Sequence, residues 1–151
     1  MTKAEYAAEL FSKDYNCAQA VAMAFAPEMG ISEEAAAKMV SSFGGGMGRM
    51  REVCGAVSGM LFALGTLYGY TEDVDGAKME HYKLVQELAG KFREINGSIV
   101  CRDILKNPPS DPVPSPRTEE YYASRPCVRM VYTAASILEE YISANPPKKD
   151  N

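Results

Sequence analysis

Residues 52–71 read EVCGAVSGMLFALGTLYGYT, and the reading of this stretch decides the fold. From Val53 to Thr71 no residue is charged, so the segment is long enough to raise the question of a membrane span. Four glycines, two tyrosines, a serine and two threonines make it a poor one. A helix buried in a protein core suits the pattern better, because Gly55, Gly59, Ala63 and Gly65 recur at spacings that let neighbouring backbones approach closely. The stretch predicts a central helix from about Glu52 to Tyr70, with Cys54 near its start.

The flanking segments also read as helices, since no run alternates apolar and polar residues long enough for a strand. Thr2 caps a first helix to about Ser12, with Ala4, Ala7, Ala8 and Phe11 on one face. Asn16, with Gln19 in the capping-box position, opens CAQAVAMAFAPEM, which stops at Gly30. Ser32 followed by Glu33 and Glu34 opens a third helix to Phe43, where three glycines end it. After the central helix, a fifth is expected from about Glu72 to Ile95. Val74, Ala77, His81, Leu84, Val85, Leu88, Phe92 and Ile95 form its stripe, and Asn96 and Gly97 close it. A short helix follows from Ser98 to Leu105.

Five prolines between Pro108 and Pro116 forbid helix and favour an extended strap across the surface. Ser124 and Pro126 open the last helix, to about Ser143. The expectation is an all-α fold: one compact domain over residues 1–145, a bundle of about six or seven helices with a Pro-rich loop before the last. Residues 146–151 read as a disordered tail. No internal repeat is present.

A chain of 151 residues can bury enough surface to fold without covalent staples, so the cysteines are not needed for stability. Hydrophobic residues at 46% and charged residues at 24% are ordinary for a soluble globular protein. A net charge of -4 without a cluster of Lys and Arg argues against nucleic acid. The opening MTKAEYAAELFSKDYN lacks the apolar core of a secretory signal, so a cytoplasmic location without membrane insertion is expected. In a reducing compartment, four cysteines point to metal binding or redox chemistry rather than static bridges.

Cys17, Cys54, Cys101 and Cys127 are far apart in sequence, with neither a CxxC pair nor a zinc-finger spacing, so any shared site must be assembled by the fold. Their local settings are alike, because each falls in the first turn of a predicted helix. Free backbone N–H groups and the positive end of the helix dipole favour thiolate there and predict lowered pKa values. Arg51, Arg102, Arg125 and Arg129, four of the seven arginines, lie within three positions of a cysteine. As single residues the cysteines could be small buried hydrophobes. As a set they point to redox chemistry and metal ligation.

Phe43 to Arg49 reads FGGGMGR, without the spacing of a P-loop or a strand before it. Gly44, Gly45, Gly46 and Gly48, with Gly55 and Gly59 beyond Cys54, are read as cofactor-side backbone: they permit tight turns and leave amide donors to face a thiolate, a sulfide or a small anion. His81, the only histidine, lies on the apolar stripe of the fifth helix and reads as a partly buried residue, with a base or extra ligand as the alternative. Ser58 lacks the nucleophile-elbow pattern, which sets a serine hydrolase aside.

These residues resemble the C-GCAxxG-C-C family of four-cysteine, all-helical redox-active proteins. Asn16-Cys17-Ala18-Gln19-Ala20-Val21 looks like its first-cysteine segment, Phe43 to Gly48 like its glycine loop, and Cys54-Gly55-Ala56-Val57-Ser58-Gly59 like its central motif, here CGAxxG with Cys before Gly. Cys101 and Cys127 fall where the third and fourth cysteines belong. The resemblance implies redox chemistry at these cysteines, association with transporter loci, and kinship with a domain that precedes haem-binding modules in some cytochromes and holds an iron–sulfur cluster. No CxxCH is present, so the chain attaches no c-type haem of its own.

Two main functional classes remain, with a small-anion enzyme using the glycine loop and Arg49 or Arg51 as a third reading behind them. In the first, the four cysteines converge for thiol/disulfide exchange or for an iron–sulfur cluster or other thiolate-bound metal, and the chain serves a redox partner. A structural zinc ranks below these, since close CxxC pairs are missing. In the second, a helical accessory module binds a transporter-associated partner, its cysteines merely packed, through the Pro-rich strap and adaptable methionines such as Met23, Met60 and Met130. Glycine faces could also mediate homo-oligomers. Whether the chain is an enzyme stays open at this point.

Overall fold

The structure, a computed structural model, describes residues 1–148. Its first helices start where local chemistry places them. Thr2 Oγ1 accepts the Glu5 N–H at 3.0 Å while the Glu5 carboxylate accepts the Thr2 N–H, and α1 spans Lys3–Phe11. Asn16 and Gln19 form the same reciprocal box at 2.8 and 3.1 Å, opening α2 over Cys17–Ala24. The Gln19 side-chain amide also donates to the Ala37 carbonyl at 3.1 Å, tying α2 to α4 (Glu33–Met39), which Ser32 caps.

Among the described residues there are ten α-helical segments, more than the six or seven helices expected. The second expected helix divides at Phe25, because Pro27 has no N–H to continue the ladder; α3 (Ala26–Met29) follows and ends on left-handed Gly30. The third stops at Met39, and a 3-10 turn, Ser41–Phe43, leads into the single turn α5 (Gly44–Met47). The central helix α6 covers Gly55–Tyr68, with Cys54 as its N-cap residue. Helix α7, Ala77–Asn96, begins later than expected and closes on Gly97 at φ 85°. Beyond it, α8 is Cys101–Leu105 and α10 is Cys127–Ala144. Between them α9, Glu119–Ser124 with Thr118 as cap, was not expected; its six residues follow the proline run and carry no apolar stripe. Of the expected tail, residues 146–148 carry no helix and residues 149–151 lie outside the described residues.

At the centre, α2 is buried at Ala18, Ala20, Val21, Ala22, Met23 and Ala24 and packs against α1, α4, α6 and α10. Its alanines allow close approach to α6: a Cβ on Gly59 would lie 2.6 Å from the Ala18 carbonyl oxygen. Helix α10 adds Met130, Val131, Ala134, Ala135 and Leu138 to the core, and α7 joins it through Leu88, Ala89 and Phe92. No helix among the described residues is long and apolar enough to cross a membrane.

One contact bears directly on the cysteines. An isolated antiparallel bridge pairs Val53 with Val100. Within it the Cys54 N–H donates to Ile99 O and the Cys101 N–H to Glu52 O, both at 2.7 Å. Ser98, expected to open the short helix, instead accepts the Val100 N–H at 2.9 Å and donates to Asp103, shaping the turn before the bridge. The starts of α6 and α8 are thereby held side by side.

Candidate functional site

Four helix starts face one another. Cys17, Cys101 and Cys127 are the first residues of α2, α8 and α10, and Cys54 immediately precedes α6. All four line one cavity of about 70 Å³, together with Gly45, Gly55, Arg51, Arg117, Tyr121 and Arg125. The cysteines are free thiols, Cys54 and Cys101 buried and Cys17 and Cys127 partly so.

Glycine makes the convergence possible at two points. A Cβ on Gly55 would stand 2.6 Å from Cys17 Sγ, so the sulfur rests directly on the backbone at the start of α6. A Cβ on Gly46 would stand 2.7 Å from the Glu52 nitrogen and 2.8 Å from Cys101 Cβ. Of the six glycines read as cofactor-side backbone, Gly45 and Gly55 border the cavity, and Gly44, Gly45 and Gly48 border an adjoining groove. Gly46 packs under Cys101, and Gly59 packs on Ala18 away from both spaces.

The glycine loop runs left-handed through Gly45, Gly46, Met47, Gly48 and Arg49, and again at Arg51. Glycine adopts this conformation freely, whereas at Met47, Arg49 and Arg51 it costs on the order of 1–2 kcal/mol each. The loop closes on itself, with the Arg49 N–H donating to Gly44 O at 3.2 Å and the Glu52 N–H to Gly46 O at 2.9 Å. Arg51 is turned inward and is only 3% exposed. Its Nη1 donates to Cys101 Sγ at 3.6 Å and its Nε to Pro109 O at 2.9 Å, so one buried guanidinium joins the thiols to the proline strap.

The other arginines fasten the same strap. Arg117 donates to the carbonyls of Phe11 and Tyr15 at 3.2 and 3.1 Å and stacks over the Phe11 ring at 4.4 Å. Arg125 donates to Ser115 Oγ at 3.3 Å and lies 4.9 Å from the Tyr121 ring centre. Sequence proximity picked out Arg51 and Arg125 correctly as cavity arginines. It also picked Arg102, which instead reaches Met50 O and Glu52, and Arg129, which does not line the cavity. Arg117 was missed because it is ten positions from the nearest cysteine in sequence, and only the folded strap brings it in.

The lowered thiol pKa values expected from the helix starts are not what the cavity produces. Burial pushes the Cys54 thiol well up, as does the charge of Cys17, against the downward pull of the Ala56 and Val57 N–H groups. Cys101 is also raised by burial, with Arg51 pulling it down. Cys127 is pushed up to about 12 by burial and then by Cys17, which outweigh Arg125. For these three thiols, removal from water and the charge of a neighbouring sulfur exceed the effect of the helix ends.

Among the described residues no three Cys, His, Asp or Glu side chains are gathered closely enough to hold a single metal ion. His81 lies apart from the cysteines, half-buried in an open groove of about 750 Å³ beside Tyr70, with ring centres 6.0 Å apart. It is the partly buried residue its stripe suggested, and it supplies no ligand or base to the cavity.

No curated protein and no solved structure matches the chain. A family model does: the one described as "Putative redox-active protein (C_GCAxxG_C_C)" matches residues 15–141, a span that contains every cysteine and arginine of the cavity. By that match the chain belongs to the C_GCAxxG_C_C family.

Proposed function

We propose that Cys17, Cys54, Cys101 and Cys127 form one electron-transfer site that holds an iron–sulfur centre. The observation that carries the reading is the meeting of four cysteines, from four separate helix starts, around one cavity. Four thiolates are a suitable donor set for such a centre. Side chains spread around a space, without meeting at a point, suit a centre of several atoms better than a lone zinc ion. Bound there, the cluster would supply reversible one-electron transfer.

The chain's own groups support this role. Burial holds Cys54 and Cys127 protonated and makes both poor nucleophiles, whereas a coordinated thiol loses its proton outright. Arg51 against Cys101 Sγ and the Ala56 and Val57 N–H groups facing Cys54 place positive charge and donors around the sulfurs, the arrangement that raises a cluster's potential.

Anaerobic purification, with iron, acid-labile sulfide and free thiols quantified on one sample, tests the reading. Stoichiometric iron and sulfide, lost in Cys54→Ser, is the expected result. A metal-free protein whose thiols oxidise and re-reduce would replace the cluster by thiol/disulfide chemistry. Four thiols inert to mild oxidant, with no metal, would leave an accessory module with packed cysteines.

A further inference from the structure

A second space shares part of its lining with the cysteine cavity. A groove of about 410 Å³ is lined by Gly44, Gly45, Gly48, the strap residues Pro112, Pro114 and Ser115, and four arginines, Arg49, Arg51, Arg117 and Arg125. Among the described residues no carboxylate lines it. Asp14 pairs with Arg117 at 3.6 Å from outside; Arg49, Arg51 and Arg125 have no acidic partner among the described residues. Arg51, Arg117 and Arg125 border both spaces, whereas Arg49 borders the groove alone. Its Nη2 donates to Pro109 O at 3.4 Å, whereas its Nε and Nη1 are buried with no partner among the described residues. Buried guanidinium donors left unpaired are costly, and the left-handed backbone at Arg49 adds strain to keep them there. A bound anion would satisfy both the charge and the donors.

We propose that this groove is an oxyanion-binding site, taking the phosphate, sulfate or carboxylate group of a small molecule. Guanidinium forks suit such groups because they donate paired hydrogen bonds to two oxygens. The groove's size is that of a small-molecule site rather than a bare ion, and it shares Asn16, Gly45, Arg51, Arg117, Tyr121 and Arg125 with the cysteine cavity. Arg49 supplies the unpaired donors, Arg125 and Arg117 the flanking charge, and the prolines of the strap a stiff wall. The site does not depend on which redox chemistry the cysteines perform.

Titration calorimetry at constant ionic strength tests it, using inorganic phosphate, sulfate, acetate and phenyl phosphate on the protein as purified. One saturable site is expected, weakened about tenfold or more by Arg49→Gln and by Arg125→Gln, the lower end of what a charge-assisted hydrogen bond contributes. Arg49→Lys should recover part of the loss, since charge returns without the fork. Arg129→Gln, at an arginine that lines neither space, should bind as the parent does, which separates the site from a general effect of charge. Tighter binding of phenyl phosphate than of phosphate would identify the group as part of a larger molecule; equal binding would identify a free oxyanion. Absence of a saturable site for all four probes, or affinities unchanged in both glutamine variants of folded protein, would overturn the proposal, whatever the metal and thiol assays report.

Discussion

Helices α6 and α7 follow one another in sequence, and they meet opposite fates. The 14 residues of α6 are packed on several sides, against α2, α3, α7 and α10, while the 20 residues of α7 rest on the core through one short stripe. Met79, Tyr82 and Ile95 of α7 are each more than half exposed. Each helix carries a residue of chemical interest near its beginning, Cys54 on α6 and His81 on α7. The start of α6 is fixed by the Val53–Val100 bridge and by the glycine turn beneath it; that of α7 is held by the Asp73 carboxylate accepting the Lys78 N–H. Only the first becomes part of a site. A reactive side chain joins others where several elements fix the position of its backbone, which is why four scattered cysteines meet and the lone histidine faces an open groove.

The packing half of this comparison breaks most severely at Gly59. A Cβ there would meet the Ala18 oxygen at 2.6 Å and its Cα at 3.2 Å, all backbone of a neighbouring central helix that cannot turn aside. Gly59→Val should destabilise by about 3 kcal/mol through overpacking, read as a fall in the urea midpoint. The same variant should loosen Cys17, which directly precedes Ala18, and so speed its alkylation. A midpoint within error of the parent would mean that α2 and α6 are not in contact in solution.

The next effect comes from the sulfurs. Cys127 titrates near 9 in the unfolded chain and at about 12 in the fold, so the folded protein keeps a proton that the unfolded chain gives up. Its stabilising contribution is therefore complete below pH 9 and is lost as pH rises through 9 toward 12. For this one group the loss amounts to about 1 kcal/mol over the first pH unit above its unfolded value. Fully reduced, metal-free protein should lose stability over that range, and Cys127→Ala should flatten the loss relative to its own value at neutral pH. Equal slopes for the two proteins would show that Cys127 is not desolvated beside Cys17.

The site's parts differ in how legible they were. Caps are local chemistry, so Thr2, Asn16 and Ser32 could be read directly, and with them the position of Cys17 at a helix start. The Phe25 break was legible too, since Pro27 marks it, but the apolar run around it masked the signal. The left-handed passage through Met47, Arg49 and Arg51 leaves no trace in residue type, because side chains there oppose it and the fold imposes it. The thiol pKa values invert the local expectation for a related reason. A helix start acts on one cysteine through its own amides, whereas burial and the charge of Cys17 come from other elements brought around it. Arg117 likewise enters only when the strap folds back onto Phe11 and Tyr15.

The gentlest probe lies on α7. Gly90 sits in the interior of that helix, and a Cβ built on it meets nothing within 4 Å. Glycine there forfeits helix propensity without gaining a close contact, the reverse of Gly59. Gly90→Ala should therefore raise stability by about 0.5–1 kcal/mol, with the denaturant slope unchanged. The sign is more informative than the size. Glycine-to-alanine gains require open space at the added methyl, so a loss of stability that deepens with protein concentration would mean that this face of α7 is closed by a second copy of the chain. A gain that is independent of concentration would leave α7 as an exposed helix, and the contrast with α6 would stand as the reason that the cysteines, and not His81, share a site.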